Sequence, residues 1–327
     1  MKAVQANSFG GPEVLELKDI PTPEPEKNQV RVRLYAAGIN PSEAYTRTGT
    51  FYFCKPSIPY VPGCDGAGII DKTGAGVENL FEGQRVFVAA LQAKRNTGTY
   101  AEYVVCDETA VMPLPEGISF EQGACVGTPA LTAYRALYYK AGIRPGETVL
   151  IHGASGAMGT AASQFANAAG LTVFGTCGSA ETMPQLYENG VHEAFNHNDR
   201  GHFEEILDLT DGKGVDVIIE SLANVNLEND ASILSMGGRI VVVGNRGTIE
   251  FNPRLLMIKD SSVIGMSIYN AEAKEYSGCM RAVLSAMEHG FFRPVVGGRY
   301  GLGEAAKAHG DLLGGGFSKG NIIFSIR

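Results

Sequence analysis

In QVRVRLYAAGI, residues 29–39, the apolar Val30, Val32 and Leu34 alternate with Arg31 and Arg33, the period-two pattern of a half-buried strand. VLELKDI precedes it across the turn-forming PTPEPEKNQ, and GAGIIDK, RVFVAA and YAEYVV follow, each set off by glycine-containing turns. The first third of the chain therefore predicts a compact β-rich domain. From Ser119 the texture changes, and FEQGACVGTPALTAYRALYYKAG reads as a helical stretch. Beyond Thr148 strands and helices alternate. TVLIH is a continuous apolar strand, AMGTAASQFANAAG a small-residue helix, LTVFGT a strand, and ETMPQLYENG a helix whose first turn is limited by Pro184. EAFN, VDVIIE, GGRIVVVG and SSVIGMSI supply further short apolar strands. Strands apolar on both faces and alternating with helices predict an α/β fold with a doubly wound parallel sheet. A helix, AKEYSGCMRAVLSAMEHG, follows, and the closing NIIFSIR reads as a strand that returns to the first domain.

The chain has 327 residues, beyond the roughly 250–300 at which single cores stop growing, so two domains are expected. A formal net charge of -8 argues against binding nucleic acid through the overall field. No window reaches the ~18 apolar residues of a membrane span, and Met1 leads straight into KAVQA without a signal-peptide block, which predicts a cytoplasmic protein. The six cysteines are scattered singly with no C-x-x-C, as expected of free thiols in a reducing compartment.

The chemistry concentrates at VLIHGASGAMG, residues 149–159. A strand enters this turn and a small-residue helix leaves it, the context that a dinucleotide fingerprint requires. Ala154 stands where the first glycine of G-x-G-x-x-G belongs; negative φ there, with Gly153 taking the unusual dihedral, would accommodate it. Gly156 lets the backbone approach a pyrophosphate, Gly159 lets the helix pack on the strand, and free N–H groups at the helix start meet the anion. An NAD site usually has Asp or Glu at the end of the second strand for the ribose 2′-OH. Here that stretch is Gly175-Thr176-Cys177-Gly178-Ser179, without a carboxylate, which favours NADPH, the 2′-phosphate taking Gly178 N–H and Ser179 Oγ. His197 and Arg200 are the candidates for a positive partner, or they decorate a loop; Glu181 lies too far into the next helix to be the expected acid.

FGGPEVL, GINPSEAYTRTGT, IPYVPGCDGAG, TAYRAL, HGASGAMG, VDVIIESLANVNL and GGRIVVVGNRGTIEFNPR together carry an end-to-end resemblance. By these blocks the chain resembles the zeta-crystallin family, the zinc-free quinone oxidoreductases of the medium-chain dehydrogenase/reductase superfamily. The resemblance implies a GroES-like catalytic domain from both chain ends, residues 1–123 and 267–327, and a Rossmann domain, residues 124–266, with NADPH in the cleft. It implies a dimer or tetramer joined through an edge strand of the Rossmann sheet, here SSVIGMSI. At the three ligand positions of the superfamily's zinc enzymes stand Asn40, Cys64 and Thr128, of which only Cys64 would ligate zinc well, and residues 88–100 hold no cysteine for a structural zinc lobe; no metal is expected.

The same resemblance implies that Asn40 and Thr128 lie beside the nicotinamide, that Ser155, Gly156, Ala157, Met158 and Gly159 cover the pyrophosphate, and that Gly178 and His197 hold the adenosine 2′-phosphate with Ser179. Asn226 would take the adenosine side. Gly244, Asn245 and Arg246 follow a strand's carboxyl end, where ligands sit in open α/β sheets; Arg246 serves a phosphate or an ion pair between domains. Met266, Ser267 and Ile268 would lie along the nicotinamide. Family members often carry a Tyr after R-x-G-T that lines the quinone pocket; here the run is Phe51-Tyr52-Phe53-Cys54, and Tyr52 is the first choice, with Phe51 aligning equally well. The family's Gly-Lys before the final strand is Gly320-Asn321, with Lys319 displaced. The expected activity is reduction of a quinone by NADPH. Reduction of α,β-unsaturated carbonyls on the same fold stays open, as does a binding protein that keeps NADPH as a stabilising ligand or binds RNA, although the acidic balance counts against RNA.

Overall fold

The computed structural model describes residues 1–199, 201–314 and 319–327. Arg200 lies outside them. The chain divides into two compact units, Met1–Leu131 with Ala273–Arg327, and Thr132–Glu272. The seams fall eight and six residues beyond 123/124 and 266/267. At the first of them the N–H of Thr128 is bonded to Asp65 Oδ2 at 2.7 Å, which ties this stretch to the β-rich unit.

The first unit holds strands β1 (Lys2–Ala6), β2 (Leu15–Asp19), β3 (Gln29–Ile39), β4 (Asp65–Thr73), β5 (Arg85–Ala89), β6 (Tyr103–Asp107) and β7 (Val111–Pro113). Among the described residues β1 pairs with β2. The larger sheet runs β14-β15-β3-β4-β5-β7, with β6 also on β3, where β14 is Val296–Tyr300 and β15 is Asn321–Ser325. The alternation in β3 does what it predicts: Val30, Val32 and Leu34 are fully buried with Ile70, Val86, Val88 and Val104, while Arg31 and Arg33 stay half-buried. Each such side chain contributes roughly 1.5–3 kcal/mol of burial. The closing strand β15 returns to this unit, antiparallel to β3, with Ile322 opposite Ile39.

The second unit holds β8 (Thr148–Ile151), β9 (Thr172–Cys177), β10 (Glu193–Asn196), β11 (Val215–Glu220), β12 (Leu234–Val242) and β13 (Ser262–Gly265). All pairings are parallel, in the order β10-β9-β8-β11-β12-β13. This order reverses beside β8, and the crevice outside the strands' carboxyl ends at such a point is where doubly wound sheets bind ligands. Leu150, Phe174, Phe195, Ile218 and Ile240 form the core under it.

Two expectations change in detail. The helical stretch from Phe120 is broken: a short helix, Phe120–Gly123, is capped by Ser119 Oγ on Gln122 N at 3.2 Å, and a second begins at Gly127. The second helix widens to π-type hydrogen bonding over Arg135–Ala141 and closes on Gly142 at φ 58°. SSVIGMSI is strand only over Ser262–Gly265. Its neighbour β12 ends at Val242, whose carbonyl takes a last bond from Met266 N at 2.9 Å, and a tight turn, Ile268–Asn270, follows. Among the described residues no helix is long and apolar enough to cross a membrane.

Candidate dinucleotide and active site

The glycine turn follows β8 directly. Gly153 takes the left-handed conformation, φ 66°, and Ala154 does not, so the missing first glycine is supplied one residue earlier. Gly156 caps the helix Ala157–Ala168 in extended geometry, φ −77°, with no side chain capping its N–H groups. At Gly159 a Cβ would stand 2.2 Å from Gly153 O and 2.6 Å from Ala154 Cα, so only glycine lets the helix close on the turn. At Gly156 a Cβ would meet only Gly153 O, at 3.5 Å. The fold itself does not require that glycine; its bare surface faces outward at the helix start, as a pyrophosphate cradle would need. Ser155 is buried, and Ala157 and Met158 are half-buried in the first turn.

At the carboxyl end of β9 the chain reaches Gly178, beside the residue that follows β10. His197 N donates to Cys177 O at 2.9 Å, and Asn198 Nδ2 donates to Gly178 O at 2.8 Å. Burial, with the neighbouring His152 and His202 acting in the same direction, pushes the His197 imidazolium below its usual range. Ser179 precedes the tight turn Ala180–Thr182, where Glu181 is exposed.

The remaining second-unit candidates sit at other strand ends. Asn226, on the helix Ala223–Ile233, donates through Nδ2 to Glu220 Oε2 at 3.1 Å. Gly244 passes so close to Ser221 that a Cβ would stand 2.3 Å from its carbonyl oxygen. Asn245 and Arg246 are exposed, with Arg246 N bonded to Asn224 Oδ1 at 2.9 Å. Met266 and Ile268 are buried, and Ser267 O accepts from Arg135 at 2.9 Å.

A buried triad beneath this surface has no counterpart among the sequence candidates. His152 Nε2 lies 2.8 Å from Asp230 Oδ1 and 3.6 Å from Glu220 Oε2. Burial, first of all, raises both carboxyls to about 7 and lowers the imidazole. The signal was present in the sequence: each of the apolar strands TVLIH and VDVIIE ends in an ionisable residue. A donor atom from each of the three residues falls within 4.8 Å of the others, but the imidazole bond and the contact between carboxyls already account for the spacing with a proton.

In the first unit, Asn40 stands before the helix Pro41–Arg47, and its Nδ2 reaches Asp65 Oδ2 at 2.8 Å and Glu43 Oε1 at 3.3 Å. Thr128 N holds the same Asp65 oxygen, so Asn40 and Thr128 meet through Asp65. Thr128 Oγ1 and Asp65 Oδ1 are both buried, and the Thr128 side chain helps hold the Asp65 charge. Burial raises Glu43 to about 7, with the Asp65 charge adding to it, and raises Asp65 to about 6 against the Thr128 N–H and Asn40 bonds. Tyr52 is not part of this group: it is 90% exposed, edge-on to Phe53 at 5.3 Å. Phe51 instead turns toward Tyr45 of the helix, 6.2 Å between ring centres.

Two family models match the chain: the alcohol dehydrogenase GroES-like domain over residues 26–116 and the zinc-binding dehydrogenase over residues 157–285. The human quinone oxidoreductase is 45% identical over 327 residues, covering 100% of this chain and 98% of its own. The chain belongs to the quinone oxidoreductase family. It is an enzyme fold of the medium-chain dehydrogenase/reductase superfamily. A crystal structure described as an NAD-dependent alcohol dehydrogenase superposes with a TM-score of 0.90 at 31% identity over the whole of both chains. A quinone oxidoreductase structure from Pseudomonas syringae does so at 0.84 and 28%, covering 99% of each chain.

The name of one family model raises zinc, and the donors at the corresponding place do not fit it. Asn40 has its amide committed to carboxylates, Thr128 offers a neutral hydroxyl, and burial holds the Cys64 thiol well above its usual range. Zinc wants thiolate, imidazole or carboxylate, usually three of them.

Proposed function

We propose that the chain is an NADPH-dependent quinone oxidoreductase that works without zinc. The observation that carries the cofactor choice is the end of β9, where Gly178 stands beside His197, Ser179 follows it, and residues 175–179 hold no carboxylate. An acid there would bind a ribose 2′-OH and repel a 2′-phosphate; backbone N–H, hydroxyl and imidazole suit the phosphate. When bound, the reduced nicotinamide supplies the reducing equivalents.

The chain's own residues do the rest by binding and orientation. Ser155 to Gly159 receive the pyrophosphate on the helix N–H groups, and Asn226 and Gly244 to Arg246 flank the adenosine side. Met266 to Ile268 lie along the nicotinamide. We assign the carboxamide to Asn40 and Thr128: the bonds to Asp65 and Glu43 spend the N–H donors of Asn40, so it would meet the carboxamide through its oxygen, and the buried Thr128 hydroxyl stands with it beside Asp65. Tyr52, exposed on its loop, is assigned to the quinone. An electron-poor quinone needs no Lewis acid, so proximity and exclusion of water are the main catalytic contributions.

A second copy of the chain is assigned to β13. Among the described residues β13 pairs with β12 alone, and Met257, Ile258 and Val263 are exposed on and just before it.

Oxidation of NADPH and of NADH by the purified protein, with an ortho-quinone and without, tests the reading. Quinone-dependent oxidation preferring NADPH is expected. Preference for NADH would refute the cofactor choice, and an enone consumed in place of the quinone would refute the acceptor.

A further inference from the structure

We propose that His152, Asp230 and Glu220 act as one positioning unit for the dinucleotide site, fixing the entry to the glycine turn through Thr176 and the Asn226 amide through Glu220. The inference rests on the cofactor reading above. None of the three touches the ligand surface: His152 is 4% exposed, and Glu220 and Asp230 are fully buried.

The hydrogen bonds run in one direction. Thr176 Oγ1 accepts from Gly153 N at 3.2 Å, which leaves its own proton for His152 Nδ1, 3.3 Å away. Nδ1 is then the acceptor and Nε2 the N–H that donates to Asp230 Oδ1 at 2.8 Å. Among the described residues Asp230 Oδ2 meets no N–H donor, and the carboxyl beside it is that of Glu220. Two carboxyl groups in contact are stable only when they share a proton. Glu220 in turn accepts from Leu222 N and, at 3.1 Å, from Asn226 Nδ2. One chain of bonds therefore links β9, β8, the helix Ala223–Ile233 and the end of β11, at the place where the sheet order reverses. Breaking it at any member leaves a buried polar group unpaired, directly below the turn.

Among the described residues, the titratable groups beside it are His197, whose charge is opposed by His152, and His202 next to that; the Phe203 ring lies 6.2 Å from the His152 ring. Losing the shared proton places two carboxylates in contact and loosens the support of both Gly153 and Asn226.

Calorimetric titration of the full chain with NADPH and, separately, with NADH from about pH 6 to about pH 9 tests this, beside D230N and D230A, with each melting temperature recorded. In the wild type the Kd for both nucleotides should rise about tenfold across the range, as expected for one proton linked to binding over about one unit. An effect common to both nucleotides separates the triad from titration at His197 or at a 2′-phosphate. Asp230→Ala should bind at least about fivefold more weakly at every pH. Asp230→Asn, whose amide donates the hydrogen that the shared proton supplied, should restore binding and flatten the profile. A D230N profile that tracks the wild type overturns the proposal, as does unchanged binding in D230A. A wild type that binds neither nucleotide refutes the cofactor reading and this inference with it; binding with an unaltered profile refutes the triad alone.

Discussion

A Cβ built on Gly178 would stand 3.4 Å from Nε2 of His197, so the end of β9 and the residue after β10 present one small, nearly neutral surface. An acid at 178 would fill it. Gly178→Asp is therefore expected to reverse the nucleotide preference, weakening NADPH by more than ~10-fold and sparing NADH, with the two Kd values measured side by side.

His197 carries a pH signature of its own. Burial lowers its pKa, so near neutrality the ring is uncharged and gains its proton only as the pH falls. NADPH affinity relative to NADH should rise toward acid pH, and His197→Gln should remove that rise, costing about 5–10-fold at the acid end and less above neutrality. A ratio of affinities that is flat with pH in the wild type would contradict it.

The two later glycines of the turn separate fold from ligand. Gly159→Ala drives a methyl into Gly153 O and Ala154 Cα and should lower the melting temperature and nucleotide affinity together. Gly156→Ala meets no close atom, so it should keep the melting temperature while weakening nucleotide binding. Thermal unfolding of both variants, with and without nucleotide, distinguishes the two outcomes.

Glu43 makes stability depend on pH. Its carboxyl is raised to about 7 by burial and by Asp65, above its value in the unfolded chain, so the folded state holds the proton more tightly. That contribution is complete below the unfolded pKa and is lost as the pH rises through about 7. Urea unfolding should show the wild type losing stability between about pH 5 and pH 8, and Glu43→Gln losing on the order of 2 kcal/mol less over that interval. Equal losses in the two proteins would remove Glu43 from the account.

Metal removal is expected to leave quinone reduction intact. Dialysis against a strong chelator, followed by metal analysis and assay, should find no stoichiometric zinc and unchanged turnover. Activity lost to the chelator and restored by zinc would reverse the reading of Asn40, Cys64 and Thr128.

Much of this molecule is legible along the chain because its signals are local. The alternation of Val30, Val32 and Leu34, the apolar run before the glycine turn, and the bare Gly178-Ser179 each lie within a few consecutive residues. What escapes is what only folding brings together. His152 and Asp230 are 78 positions apart, and nothing near either predicts the other. Asp65 is likewise overlooked beside Cys64, although it is the residue that joins Asn40 to Thr128. The strand SSVIGMSI stops early for a related reason: where a strand stops depends on where its neighbour stops, and Val242 is the end of a different segment. The π-type turn at Arg135–Ala141 leaves no mark in the apolar pattern.

The position of β15 bears on how the chain is made. It lies between β14 and β3, so the end of β3 at Ala36–Ile39, beyond the stretch that β6 covers, lacks its partner until residues 322–325 have been made. The parallel-sheet unit, complete by residue 272, can fold while the flanking unit still waits for its last strand. During that interval the apolar end of β3, Ala36–Ile39, is a surface that a chaperone would find on the nascent chain.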